Sequence, residues 1–176
     1  MAITKIQSES LNLSDTYDFT GTVTGAGGVN TPAFHATINS AQTLTHDNIT
    51  KLAFASEVFD TNNVYDTSNY RFTPGVIGKY ILGVGFWTYD SANSMTTNAI
   101  YFYKNGSAVL HGMIRVTSAN YQRNWITAVG VVDADATGDY FEVYARPEQG
   151  DAGTVDVSAT SDSGKRNYFY GYKLIT

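Results

Sequence analysis

Tyr80-Ile81-Leu82-Gly83-Val84-Gly85-Phe86-Trp87 decides how this chain folds. Side chains of an extended strand point alternately to opposite faces. One face then carries Tyr80, Leu82, Val84 and Phe86, and the other Ile81, Gly83, Gly85 and Trp87. Both faces are apolar or small. No 3.6-residue apolar period runs through this stretch or any other, so no long helix is expected. An antiparallel strand with two apolar faces needs cover on both.

Two further stretches share this character: Trp125-Ile126-Thr127-Ala128-Val129-Gly130-Val131-Val132 and Tyr168-Phe169-Tyr170-Gly171-Tyr172-Lys173-Leu174-Ile175. Other strands alternate cleanly. In Tyr140–Arg146, Phe141, Val143 and Ala145 point one way while Glu142 and Arg146 point the other. Those read as strands with one face in a core and one in water. For the two-faced strands, a partner sheet supplies one cover. With no helix available, a second subunit is the simplest second cover; a large monomeric core filled by aromatics is the plainer alternative. The expected interface residues are Tyr80, Leu82, Val84 and Phe86, together with Trp125, Tyr168, Tyr170 and Tyr172. Gly83, Gly85, Gly130 and Gly171 would let the neighbour approach closely.

Outward from these stretches the pattern is strand, turn, strand. Strands are predicted at Ala33–Asn39, Lys51–Ala55, Tyr70–Thr73, Gly78–Tyr89, Asn98–Lys104, Ala108–Thr117, Trp125–Asp133, Tyr140–Arg146 and Asn167–Ile175. Polar turns separate them, including Asp60–Asn63, Asp66–Asn69, Thr137–Asp139 and Ser161–Gly164. Asn105-Gly106 is the sharpest signal, a two-residue hairpin turn needing positive φ at both centres. The fold class is all-β: an antiparallel sandwich or barrel of short strands. Residues 33–176 form this head. Residues 1–32, with short apolar pairs and the glycine-rich Gly21–Gly28, cannot make a core and read as an extended arm that docks on something.

Composition narrows the function. The 176 residues are 43% hydrophobic but only 15% charged, against about 25% in typical soluble domains. A net charge of −5 leaves no Lys/Arg footprint for nucleic acid. No stretch approaches the ~18 apolar residues of a membrane span, so no membrane insertion is expected. The N-terminus shows no continuous apolar run of a secretory signal. The absence of cysteine excludes disulfides, thiolate catalysis and Cys-ligated zinc.

From about Ala33 to Thr176 the chain resembles the globular head of complement component one-q, in the tumour-necrosis-factor jelly-roll superfamily. The resemblance is carried by fragments in order. They are Lys51–Phe54, Val58–Asp66 with its Tyr65-Asp66, and Phe72-Thr73-Pro74 running to Gly78-Lys79-Tyr80. Tyr103-Lys104-Asn105-Gly106, Gly138-Asp139 leading to Phe141–Val143, and Phe169-Tyr170-Gly171-Tyr172 follow. It implies a jelly roll of about ten strands and a homotrimer with the central and last strands near its axis. The chain departs from the family in lacking a collagen-like stalk and in placing Ile77 where a proline usually precedes the Gly-x-Tyr glycine. The leader Ala2–Asp15, followed by Phe19–Gly25, resembles leaders on structural proteins of tailed bacteriophages. That resemblance implies a virion surface protein, assembled in the host cytoplasm and anchored to capsid or tail proteins through residues 1–32. A host receptor or surface glycan is the alternative partner.

Catalytic signals are absent from the sequence. His35, His46 and His111 are scattered and show no metal-ligand spacing. No Gly-x-Ser-x-Gly elbow occurs. The chain therefore reads as a binding or structural module, not an enzyme, and no cofactor is called for. The one metal reading is calcium at Asp133, Asp135 and Asp139, in a segment that begins like a calcium loop. Its twelfth position is Tyr144, where a bidentate Glu would be required, so a solvated turn is the plainer reading. Tyr65, Tyr70, Tyr89 and Tyr121 lie near predicted loops or strand ends, where a tyrosine can stack on a sugar; core and interface packing is the plainer reading of most aromatics here.

Overall fold

A computed structural model describes residues 30–116, 120–159 and 167–175. They form an antiparallel two-sheet sandwich of thirteen strands, with no helix among the described residues. The strands are β1 (Ala33–Thr37), β2 (Gln42–Thr45), β3 (Thr50–Lys51), β4 (Ser56–Asp60), β5 (Tyr65–Asp66), β6 (Arg71–Phe72) and β7 (Gly78–Tyr89). They continue as β8 (Met95–Lys104), β9 (Ser107–Arg115), β10 (Arg123–Ala134), β11 (Phe141–Gln149), β12 (Thr154–Val157) and β13 (Tyr168–Lys173). The larger sheet runs β2-β12-β7-β13-β1-β4, with β10 paired to the other flank of β7. The smaller runs β5-β6-β11-β8-β9, with β3 also on β11. The expected arm, residues 1–32, lies almost wholly outside the described residues, as does the Ser161–Gly164 turn.

The long predicted strands form where expected. The count exceeds ten because β3, β5 and β6 are two-residue pairings and four strands, β2, β4, β5 and β12, were not expected at all. Of these, Gln42–Thr45 carries one apolar residue, Ser56–Asp60 sits at the sheet edge with Val58 and Phe59 exposed, and Thr154–Val157 is four residues long. Lys51–Ala55 is a strand only at its start. Leu52 and Phe54 still enter the core, and the Leu52 N–H donates to the Val143 carbonyl at 2.9 Å.

The core lies between the sheets and is rich in phenylalanine. Phe34 of β1 stacks on Phe72 at 4.5 Å and on Tyr65 at 4.8 Å, and meets Phe169 edge-on at 4.8 Å. Such ring pairs favour offset and edge-on geometries. Tyr80, Leu82, Val84 and Phe86 of β7 are also fully buried here. Expected at a subunit interface, these four side chains instead fill the space between the sheets, where burying Leu82, Val84 or Phe86 contributes about 1.5–3 kcal/mol each. The Tyr80 hydroxyl donates to the Val76 carbonyl at 2.8 Å.

The Asn105-Gly106 turn adopts the predicted geometry, with φ of 51° and 81°. The Asn105 side chain also accepts the Tyr140 N–H at 3.0 Å and donates to Asp139 at 2.7 Å. The β8–β9 hairpin is thereby tied to the loop preceding β11.

Candidate functional site

The larger sheet turns its outer face away from the core, and that face is apolar. Strand pairing arranges it in rows. Val131, Ile81, Tyr172 and Ala33 form one row across β10, β7, β13 and β1. Val129, Gly83, Tyr170 and His35 form the next. Thr127, Gly85, Tyr168 and Thr37 form a third, and Trp125 faces Trp87 beyond it. Val129 is 67% exposed, Val131 52% and Trp125 37%. The aromatic rings touch in sequence: Trp125 to Tyr168 at 5.9 Å, Tyr168 to Tyr170 at 5.9 Å, and Tyr170 to Tyr172 at 6.5 Å. At the far edge His35 meets Tyr168 at 6.3 Å and Phe59 at 6.0 Å. An exposed apolar face this continuous marks an interaction surface in soluble proteins.

Four of the eight expected interface residues, Trp125, Tyr168, Tyr170 and Tyr172, stand on this outer face. The companions that sequence reasoning missed are Ile81, Trp87, Val129 and Val131. A signal for them was present. Lys79 and Asp133 have the parity of the outer residues on their strands, and a charge at a strand end belongs on the solvent side. The two face each other in the β7–β10 ladder, Lys79 Nζ to Asp133 Oδ1 at 2.6 Å.

The glycines serve the chain itself, not a neighbour. A Cβ at Gly83 would overlap the Tyr170 ring, and one at Gly85 would lie 2.7 Å from the Tyr168 ring. On the inner side, a Cβ at Gly130 would overlap Leu110, and one at Gly171 would meet Leu82 at 2.7 Å and Phe34 at 2.9 Å. The expectation that these positions admit a second subunit is therefore corrected. The bare backbone of β7 is where the β13 tyrosines lie down.

The outer face of the smaller sheet has a different chemistry. Glu142 points outward from β11, yet its side chain is only 3% exposed. Lys51 reaches it at 3.0 Å, Arg71 at 2.8 Å, and the Tyr144 hydroxyl donates to it at 3.0 Å. Burial pushes the Glu142 carboxyl up, but hydrogen bonds from Arg71, Lys51 and Tyr144 outweigh it and hold the group below its ordinary value. Burial and the Glu142 carboxylate together push the Tyr144 hydroxyl up to about 12.

The aspartates proposed for calcium are engaged by protein groups. Asp133 pairs with Lys79. Lys104 places its ammonium 2.6 Å from Asp135 and 3.0 Å from Asp139, where a bound cation would have to sit. Asp139 also accepts the backbone N–H of Asp135 at 2.7 Å and of Ala136 at 3.0 Å. The Asn105 amide and then Lys104 lead in holding its carboxyl well below the usual range. Among the described residues no group of three or more histidine or acidic side chains is placed to hold a metal.

The histidines stand apart, on or beside different elements. His46 Nδ1 accepts the Gln149 N–H at 2.9 Å, His35 lies among aromatics, and His111 stacks against Tyr101 at 6.0 Å. Of the loop tyrosines, Tyr65 is a core residue whose hydroxyl donates to the Phe54 carbonyl at 2.9 Å; burial drives its ionisation far above the ordinary range. It is not available to a glycan. Tyr89 is capped by Arg123, with the guanidinium 5.3 Å from the ring centre.

No family model matches the chain, and no curated protein does. Solved structures do. A murine APRIL crystal structure overlays with a TM-score of 0.58 and 15% identity, covering 81% of this chain and 98% of that one. Eiger TNF from S. frugiperda gives 0.57 and 14%, over 81% and 91%. The globular domain of zebrafish complement 1qA protein gives 0.54 and 16%, over 81% and 97%. The chain has the tumour-necrosis-factor and complement one-q jelly-roll fold. In this jelly roll β7 and β13 lie side by side within the larger sheet, so the two-faced sequence stretches and the exposed apolar face coincide.

Proposed function

We propose that the chain is a non-enzymatic surface module of a bacteriophage particle, a homotrimeric jelly-roll knob joined to capsid or tail by residues 1–32. The observation that carries the assembly half is the outer face of the larger sheet. Val129, Val131, Trp125 and the β13 tyrosines present apolar and aromatic surface with no helix or loop over it among the described residues. Covering it against copies of itself recovers about 25 cal/mol for each Å² of apolar area, the arrangement of an obligate oligomer. The resemblance of the head to complement one-q supports three copies.

The virion half rests on the leader resemblance. The non-enzymatic reading is supported by the scattered histidines and the engaged aspartates described above. Imaging of intact particles with a label on this chain tests placement; label on the capsid or tail is expected, and label only in unassembled material contradicts the reading. A chain lacking residues 1–32 is expected to remain a folded trimer and to lose particle attachment. Loss of folding on deletion would mean that the segment belongs to the core.

A further inference from the structure

We propose that the outer face of the smaller sheet is a saccharide-binding platform for neutral hexose chains, centred on Tyr101, Tyr144 and His111. The proposal rests on the assembly reading above, because a trimer closed through the larger sheet leaves this opposite face free.

The platform is a single cross-strand row. Tyr144 of β11 stands opposite Tyr101 of β8, and Tyr101 opposite His111 of β9. With strands about 4.8 Å apart, the row is about 10 Å long, the reach of two linked pyranose rings. Tyr103 leans on Tyr144 from the neighbouring row, ring centres 4.2 Å apart. The three tyrosines are half-buried and His111 is exposed. A solvated sheet face ordinarily carries polar residues, and here four ring systems gather on one row and its neighbour.

The rings are held in place at their rims. The Tyr144 hydroxyl is fixed on Glu142, which Lys51 and Arg71 hold from the other side. Arg146 reaches the Tyr101 hydroxyl while pairing with Asp47 and, at 3.0 Å, with Glu148. Apolar ring faces bordered by oriented donors and acceptors match a pyranose, which offers a C–H face and a rim of hydroxyls. The charge pattern selects a neutral chain. Lys51 and Arg71 share Glu142 while Arg146 is held between Asp47 and Glu148, so these three cations meet three carboxylates and together offer no net positive charge to a phosphate, sulfate or sialate.

The test is a glycan array of neutral, sialylated and sulfated saccharides probed with the labelled full chain, with light scattering and melting temperature recorded on the same samples. Binding to neutral hexose oligosaccharides is expected. Tyr101→Ala should weaken it about tenfold, Tyr101→Phe should keep most of it because the ring remains, and His111→Ala should weaken it less than Tyr101→Ala. A silent array with a trimeric chain, binding confined to anionic glycans, or binding unchanged in both alanine variants overturns the proposal. Tyr101-dependent binding by a monomeric chain would instead support the platform and overturn the trimer.

Discussion

At the scale of single residues, the central observation is the pairing of Gly83 and Gly85 with Tyr170 and Tyr168. Two glycines within a long strand cost conformational entropy and pack nothing of their own. Here they make room for aromatic rings that cross from the neighbouring strand. Gly83→Ala is therefore expected to destabilise the fold by about 1–3 kcal/mol, read from denaturant midpoints. Combining it with Tyr170→Ala should cost less than the sum of the two single changes, because the clash partner is gone. Strictly additive costs would show that the ring does not depend on the bare backbone.

Glu142 supports a pH prediction. Its folded-state carboxyl lies below its ordinary value, so its contribution to stability is complete above the unfolded-state value and is lost as pH falls through the folded one. Stability should decline on acidification below about pH 5. Glu142→Gln should be less stable than the parent at neutral pH and show a flatter decline over the acid window. A parallel decline in both proteins would assign the acid sensitivity elsewhere, with Asp139 the next carboxylate to replace.

At the scale of elements, β7 and β10 show what a two-faced strand conceals. Binary patterning identified both strands but could not orient them, since a one-residue shift exchanges the faces. The inner set Tyr80, Leu82, Val84 and Phe86 looks no more core-like than Ile81 and Trp87 until Lys79 and Asp133 are taken as parity markers. The alternating strand β11 was legible down to its Phe141, Val143 and Ala145 face. The short strands β2, β4, β5 and β12 were not, because each owes its form to a neighbour's ladder more than to its own pattern. Substitutions on β7 and β10 separate the faces. Leu82→Ala should cost about 2–5 kcal/mol of fold stability, read from denaturant midpoints. Val129→Asp should leave the head folded by circular dichroism but weaken self-association in sedimentation. Association unchanged by Val129→Asp would move the interface off this face.

At the scale of the whole molecule, the sandwich has two unlike outer surfaces. The larger sheet exposes valines, tryptophan and tyrosines; the smaller exposes tyrosines bound into ion-pair networks. This division was partly legible, since the strands with two apolar faces all map to the larger sheet. Composition could not supply a subunit number; the proposed three rests on the resemblance to the complement one-q head. The platform on the smaller sheet was not legible at all: Tyr101, Tyr144 and His111 are far apart in sequence and share a row only through the β11–β8–β9 ladder. The account stands or falls on whether the larger sheet's outer face is covered by copies of the same chain. Light scattering of the purified full chain at micromolar concentration tests it directly. A particle of three 19.2 kDa chains is the predicted result, and a stable, soluble monomer would contradict it.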